Sequence, residues 1–277
     1  MLLKKRYFAF LIVLFSPLLM AQERIISIGG IVTEIVYLLE GQDQLVATDT
    51  SSIYPDAASH TPKVGYQRTL SVEGVLSMKP DVLLITPATG PAKVLAQLQE
   101  AGIKLVSIDG DDSQQGIVQR VTQVAKALNK EAQGQQAVAE INASFSRLQA
   151  PTHWSRPPRL LFVLQMHGAP MIAGQGTAPD ALFKMAGAVN AAEQINGYKT
   201  LTPEALLAIQ PDAIVVTTQG LDRAGAASIW SLPGLSITPA AKAKRLVDLD
   251  ALMVLGLGPR TPQAIESLQQ QLSDWTP

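Results

Sequence analysis

The chain has 277 residues, near the length at which one core divides into two, and carries 22 basic against 23 acidic side chains. That balance excludes the cationic surface of a nucleic-acid or anionic-membrane binder, and 5% aromatic residues argue against a sugar binder that stacks rings on its ligand. With no cysteine, disulfides, thiolate metal sites and thiol nucleophiles are all excluded, as is the lipid-bearing cysteine that tethers exported proteins to a membrane.

Residues 1–21 read as a secretory signal. Lys4, Lys5 and Arg6 form a basic start, and Tyr7 to Met20 is apolar but too short for a convincing span. Ala21 offers a small residue for cleavage, although Leu19 is larger than usual three residues before the cut, and a retained N-terminal anchor is the alternative. Cleavage would leave roughly 256 residues with a formal charge near −4, since the signal holds three bases and no acids. A soluble protein of the periplasm is the simplest fit.

Strand and helix then alternate. Arg24–Ile28 is β-rich, Gly29-Gly30 turns, and Val32–Glu40 is helical. Leu45–Thr50 is the next strand, followed by a loop through Tyr54-Pro55 to Arg68. Asp81–Thr86 and Lys104–Asp109 are strands flanking a helix over Pro91–Ala101, which Gly102 ends. Such spacing predicts a parallel, doubly wound sheet. Ser113–Gln149 carries apolar residues at helical steps without proline and is read as one amphipathic helix of about 35 residues, with a break near Asn129 or Gly134 as the alternative. Alternation resumes with strand Arg159–Gln165, helix Pro179–Ala188, helix Pro203–Ile209, strands Ala213–Thr218 and Arg245–Leu249, and a closing helix Pro262–Trp275.

One pattern occurs twice. Leu70-Ser-Val-Glu-Gly-Val-Leu-Ser-Met-Lys-Pro-Asp-Val-Leu-Leu-Ile85 is echoed by Leu201-Thr-Pro-Glu-Ala-Leu-Leu-Ala-Ile-Gln-Pro-Asp-Ala-Ile-Val-Val216. Ser71 and Thr202 suit a helix N-cap, and Glu73 and Glu204 suit the first turn, where the helix dipole favours negative charge. Pro80 and Pro211 stop each helix before an apolar strand. The expected fold is therefore α/β, with two doubly wound lobes joined by a single long helix and a ligand cleft between them. The organisation read from this is a signal over 1–21, an N-terminal lobe over 22–112, a linking helix over 113–150 and a C-terminal lobe over 151–277.

At this point the chain resembles the substrate-binding proteins of cobalamin, siderophore and haem ABC importers. The segment Val64-Gly-Tyr-Gln-Arg-Thr-Leu-Ser-Val-Glu-Gly-Val-Leu-Ser-Met-Lys-Pro-Asp81 is similar to the periplasmic haem-binding members, with support from Gly168-Ala-Pro-Met171 and Gly256-Leu-Gly-Pro-Arg260. The resemblance implies a non-enzymatic carrier of ferric haem that serves iron acquisition by docking on a permease dimer with a cytoplasmic ATPase. It also implies a monomer without a membrane anchor. A siderophore or cobalamin carrier of the same fold is the alternative.

The resemblance makes Tyr66 the axial ligand to ferric haem iron. The chemistry suits it, because ferric iron is a hard acid and phenolate oxygen a hard donor. A free phenol ionises near pH 10, so forming phenolate at pH 7 costs roughly 4 kcal/mol, which the metal and a nearby cation offset. Arg68, two residues on, is on the same side of an extended segment and suited to donate to that phenolate. Only His60, His153 and His167 exist, too few for the usual zinc or manganese carrier. His167, just beyond a strand end, is a second candidate iron ligand or a solvated loop residue. His153 is read as surface, and His60 as solvated or near the Tyr66 loop. Tyr54 either touches the ligand edge or occupies a turn before proline. Arg223 and Arg260 are candidate partners for haem propionates or solvated bases. Gly29-Gly30 and Gly256-Leu-Gly258 precede helices and suit an anion or a structural turn. Glu73 and Glu204, one per lobe, are read as contacts with the two permease subunits beyond their favourable place on the helix dipole.

Overall fold

The computed structural model describes residues 22–149, 151, 154–165, 169–200 and 202–274. The expected signal over 1–21 lies outside the described residues, as do His153, His167 and Trp275. No helix among the described residues is long and apolar enough to cross a membrane.

The first half builds one parallel sheet from β1 (Ile25–Ser27), β2 (Leu45–Thr48), β3 (Val82–Ile85) and β4 (Lys104–Ser107), in the order β2-β1-β3-β4. Every residue of β3 is buried, which is why Val82-Leu-Leu-Ile85 reads as an unbroken apolar run rather than an alternating one. Ile25, Val82 and Leu84 face helices Gly30–Leu38 and Gln114–Ala127. Ile26, Leu83 and Ile85 face the opposite layer, which includes Val75 and Leu98.

The second sheet contains β5 (Arg159–Leu164), β6 (Met171–Ala173), β7 (Val189–Asn190), β8 (Tyr198–Thr200), β9 (Ala213–Thr217) and β10 (Leu246–Leu249). Its path is β10-β9-β5-β6-β8, with β7 beside β5. β6 and β8 run antiparallel to their partners, so this sheet is mixed where the alternation implied a wholly parallel one. β6, β7 and β8 escape periodicity because each is only two or three residues long.

The stretch 113–149 is not one helix. Helices Gln114–Ala127 and Glu131–Arg147 are separated by Asn129 at φ 57, so the break near Asn129 replaces the continuous helix of about 35 residues. The two fold back on each other, with Gln114 Nε2 donating to Asn142 Oδ1 at 2.8 Å. Gly134 faces Ala125, where a side chain has no room, so it permits close helix packing rather than causing the break. The first helix covers the first sheet, and the second joins the lobes: its 17 residues span about 25 Å, and Phe145 packs against both cores.

The duplicated unit has the same physical basis in each lobe. Lys79 (φ 48) and Gln210 (φ 43) turn the chain out of the helix, the proline follows, and the aspartate caps the start of the neighbouring strand. Arg24 N donates to Asp81 Oδ2 at 2.8 Å, and Arg159 N to Asp212 Oδ2 at 2.8 Å. The same arginines donate their guanidinium N–H groups to the carbonyls that each helix end leaves unpaired, Met78 and Lys79 in one lobe and Ile209 in the other.

The settings differ, because Asp81 is exposed whereas Asp212 is 6% exposed and also bound by the Arg156 guanidinium. Burial alone would raise the Asp212 carboxyl, but the hydrogen bonds from Arg156 and the Arg159 N–H, with both arginine charges, hold it below the usual carboxylate range. A carboxyl depressed by folding stabilises above its unfolded pKa, and that contribution is lost as pH falls through the folded value. Asp212→Asn is expected to cost about 1–3 kcal/mol at neutral pH, more than Asp81→Asn. The gap from the native chain should narrow as pH is lowered through and below the ordinary carboxylate range. Urea denaturation at neutral and at acidic pH checks this, and equal losses at the two aspartates would contradict it.

Candidate functional site

The C-terminal ends of β1, β2 and β3 meet where the strand order reverses around β1, the place where open α/β sheets present ligand crevices. The loop carrying Tyr66 lies across this point. Pro62 to Val64 runs alongside the end of β2, with Thr48 N bonded to Pro62 O at 2.8 Å and Val64 N to Thr48 O at 3.0 Å. The Lys63 ammonium donates to Thr48 Oγ1, Ser52 O and Ala58 O, each at 2.8 Å, which ties the preceding loop to the same strand. Burial lowers its pKa, and the Asp49 carboxylate opposes the shift.

Gly65, at φ 104, then turns the chain outward in a conformation suited to glycine. Three backbone bonds hold the exit: Thr50 N to Gly65 O at 2.9 Å, Thr69 N to Tyr66 O at 2.8 Å and Gly90 N to Gln67 O at 2.9 Å. The Tyr66 ring is thus presented on a fixed backbone, 39% exposed, with a hydroxyl that has no partner among the described residues. Arg68 is exposed beside it, and its guanidinium makes no ion pair or hydrogen bond among the described residues.

The second lobe brings Tyr198 of β8 within electrostatic reach of Arg68. Its phenol is pushed up to about 12, first by burial and then by the Asp112 carboxylate, while Arg68 pulls the other way. Asp112 also lines a hollow of about 750 Å³ between the lobes, together with Gln114, Phe145, Thr177, Lys184 and Met185. Tyr198 was not singled out by the sequence reading, which took the second repeat copy to begin at Leu201. The missed signal is the Gly197-Tyr198 pair, separated from that copy only by Lys199 and Thr200, matching Gly65-Tyr66 shortly before the first.

Other expected residues fall elsewhere. Tyr54 and Arg260 meet each other, with the guanidinium carbon 3.4 Å above the ring centre. Arg260 also pairs with Glu34 at 2.8 Å and Asp250 at 3.3 Å, with its side chain only 14% exposed. A guanidinium with two carboxylates and an aromatic face already against it is taken up by the boundary between lobes, and a propionate would have to displace one of them. Burial raises the Glu34 carboxyl, against the opposing hydrogen bond and charge of Arg260. Gly256 and Gly258 close on Ile31 with no space for side chains, and Arg120 donates to Leu257 O across the same boundary at 2.9 Å. The segment Gly256-Leu-Gly-Pro-Arg260 therefore acts as a packed seam.

Arg223 is exposed in the last turn of helix Thr218–Ala224, which follows β9. His60 is exposed, with Nδ1 3.1 Å from Asp56 O, a contact within its own turn. The Gly29 and Gly30 N–H groups are bonded by Asp49 Oδ1 and Ser51 Oγ, so this turn is structural rather than an anion cradle. Glu73 and Glu204 are both exposed in the first turns of their helices, behind N-caps in which Ser71 Oγ accepts from Gly74 N and Thr202 Oγ1 from Ala205 N. Among the described residues no group of three or more His, Cys, Asp or Glu side chains could hold a metal ion.

Known proteins share this architecture. Residues 25–252 match the periplasmic binding protein family. The periplasmic haem-binding protein BhuT, solved in complex with two haems, is 39% identical with a TM-score of 0.85, over 91% of this chain and 98% of that one. The periplasmic haem-binding protein RhuT from Roseiflexus sp. RS-1, solved in apo form, is 35% identical with a TM-score of 0.84, over 91% and 98%. A vitamin B12-binding protein of Vibrio vulnificus is 28% identical over 93% of each chain. With the matched segment running through both sheets and the helix between them, this chain belongs to the periplasmic binding protein family.

Proposed function

We propose that this protein binds ferric haem in the periplasm through the Tyr66 phenolate and delivers it to the permease of an ABC importer, without bond chemistry of its own. The observation that carries this reading is Tyr66 itself, a half-exposed phenol on a loop fixed before and after it, with the uncommitted Arg68 guanidinium two residues on. Iron supplies the charge that stabilises phenolate, and Arg68 adds a second cation at no cost in broken ion pairs. Holding the ring before ligand arrives lowers the entropy lost on binding. The identity to BhuT and RhuT supports haem as the cargo.

His167 is proposed as a second ligand from the far lobe, and Arg223 as a partner for a propionate. Tyr54 and Arg260 contribute indirectly, by holding the lobes at a set separation. Glu73 and Glu204 are proposed to dock one on each permease subunit, for which a two-lobed carrier on a two-fold partner needs one contact per lobe. The carrier acts as a monomer free of the membrane. A cobalamin cargo is the second reading, favoured by the relative from Vibrio vulnificus.

Titration of the purified protein with hemin is expected to give a Soret band, and Tyr66→Ala to shift it and weaken binding at least about tenfold, equivalent to ~1.4 kcal/mol. An unchanged band and affinity would remove Tyr66 from the iron. Binding of cyanocobalamin but not hemin would establish the second reading. Charge reversal at both Glu73 and Glu204 is expected to leave hemin titrations unaltered and to stop uptake into vesicles containing the permease and ATPase. Undiminished uptake would exclude the docking role.

A further inference from the structure

The duplication extends further than the helix and strand that first reveal it. Gly65-Tyr66-Gln67-Arg68-Thr69-Leu70-Ser71 precedes the first Glu-bearing helix, and Gly197-Tyr198-Lys199-Thr200-Leu201-Thr202 precedes the second, one residue shorter. Both glycines have positive φ, 104 at Gly65 and 66 at Gly197. Both tyrosines are large apolar side chains left open to solvent, at 39% and 36%. Each is also held by backbone bonds at its glycine: Thr50 N to Gly65 O in the first lobe, and Gly174 N to Gly197 O with Gly197 N to Gln175 O in the second. β8 then pairs Tyr198 with Ala173. The two lobes thus present the same device, a fixed Gly-Tyr corner ahead of the helix.

We propose that Tyr198 is the second lobe's ligand contact, the counterpart of Tyr66, and that its protonated hydroxyl donates a hydrogen bond to an oxygen acceptor at the ligand's edge. This rests on the inter-lobe groove being the ligand site, though not on the ligand being haem. The hydroxyl has no hydrogen-bond partner among the described residues, yet the surroundings are desolvating enough to dominate its titration, with Asp112 reinforcing the neutral form. At 36% exposure the hydroxyl is open to solvent, so a ligand entering the groove takes the place of water as its partner. The division of labour between the twins follows from charge. Tyr66 is two residues from the uncommitted Arg68, whereas Tyr198 has the Asp112 carboxylate acting on it after burial, with Arg68 pulling the other way. One corner is therefore suited to a metal and the other to an acceptor atom.

The test titrates hemin into the native protein and into Tyr198→Phe and Tyr198→Ala. Tyr198→Phe removes only the hydroxyl from an edge-strand position, so its fold should persist, with melting curves as the control. The expected result is hemin binding weakened at least threefold in Tyr198→Phe and further in Tyr198→Ala, with the Soret maximum of the native complex retained in both. Native affinity in both variants would overturn the proposal. A displaced Soret maximum resembling that of Tyr66→Ala would also overturn it, since Tyr198 would then be an iron ligand. If the native protein binds cyanocobalamin and not hemin, the haem reading fails on its own. The same variants titrated with cyanocobalamin then decide this proposal, weaker binding upholding it and equal binding overturning it.

Discussion

The seam between the lobes is the constraint on which the site depends, because neither half of the groove is complete alone. At its centre two arginines cross the boundary in opposite directions, Arg120 from the first lobe to Leu257 O and Arg260 from the second lobe to Glu34. Burying such charges carries a desolvation cost that outweighs the opposing charges at Glu34 and Arg120, though not at Arg260, and Glu34 Oε1, Arg120 Nε and Arg260 Nε have no partner among the described residues. The arrangement is therefore better understood as fixing geometry than as adding stability. A directional ion pair beside glycines that admit no side chain allows few alternative lobe angles. Gly30, whose missing Cβ would sit 2.5 Å from Leu252, closes the same seam from the first lobe.

Geometry fixed at the seam passes to the groove through short paths. Helix Gly30–Leu38, which bears Glu34 and Ile31, begins at the strand end where Asp49 bonds Gly29 N. Asp49 also accepts from Ser51 and Ser52, at the start of the loop that Lys63 ties down beneath Tyr66. From the other side, helix Ala251–Gly256 follows β10 in the sheet whose far edge is β8, carrying Tyr198. Tyr66, on a loop tied to the first sheet, and Tyr198, on the second sheet, thus belong to two lobes whose relation is set by a few buried contacts. A carrier of this kind binds by presenting a prepared groove, and its entropy cost is met in folding rather than in ligand capture.

The repeated units give the protein an internal two-fold character that serves structure and function at opposite ends of each sheet. At the strand starts, Asp81 and Asp212 cap their neighbours and hold each helix end in register. At the strand exits, the same units begin with exposed glutamates and are preceded by exposed tyrosines. The two copies are not identical: Asp212 is buried where Asp81 is open, and Tyr198 has Asp112 and Arg68 acting on it with opposite sign.

Local patterns in the sequence were enough to locate the four strands of the first sheet, the twin helix–Pro-Asp–strand units, the exposed glutamates and the Gly65-Tyr66-Gln67-Arg68 corner. Each is written in contiguous residues, through apolar runs, proline stops and caps, and such signals do not need the rest of the chain. What tertiary structure alone decided involves residues far apart in sequence. Asn129 breaks the helix because folding back buries Ile117, Val121 and Ile141 in one core, a gain no helical periodicity displays. Arg260 and Tyr54 looked free for a ligand until Glu34, 226 positions away, claimed the guanidinium. Tyr198 comes within electrostatic reach of Arg68 only because β8, too short to have a period, is set at the edge of the second sheet. Contacts formed by long-range packing leave no local spacing to read.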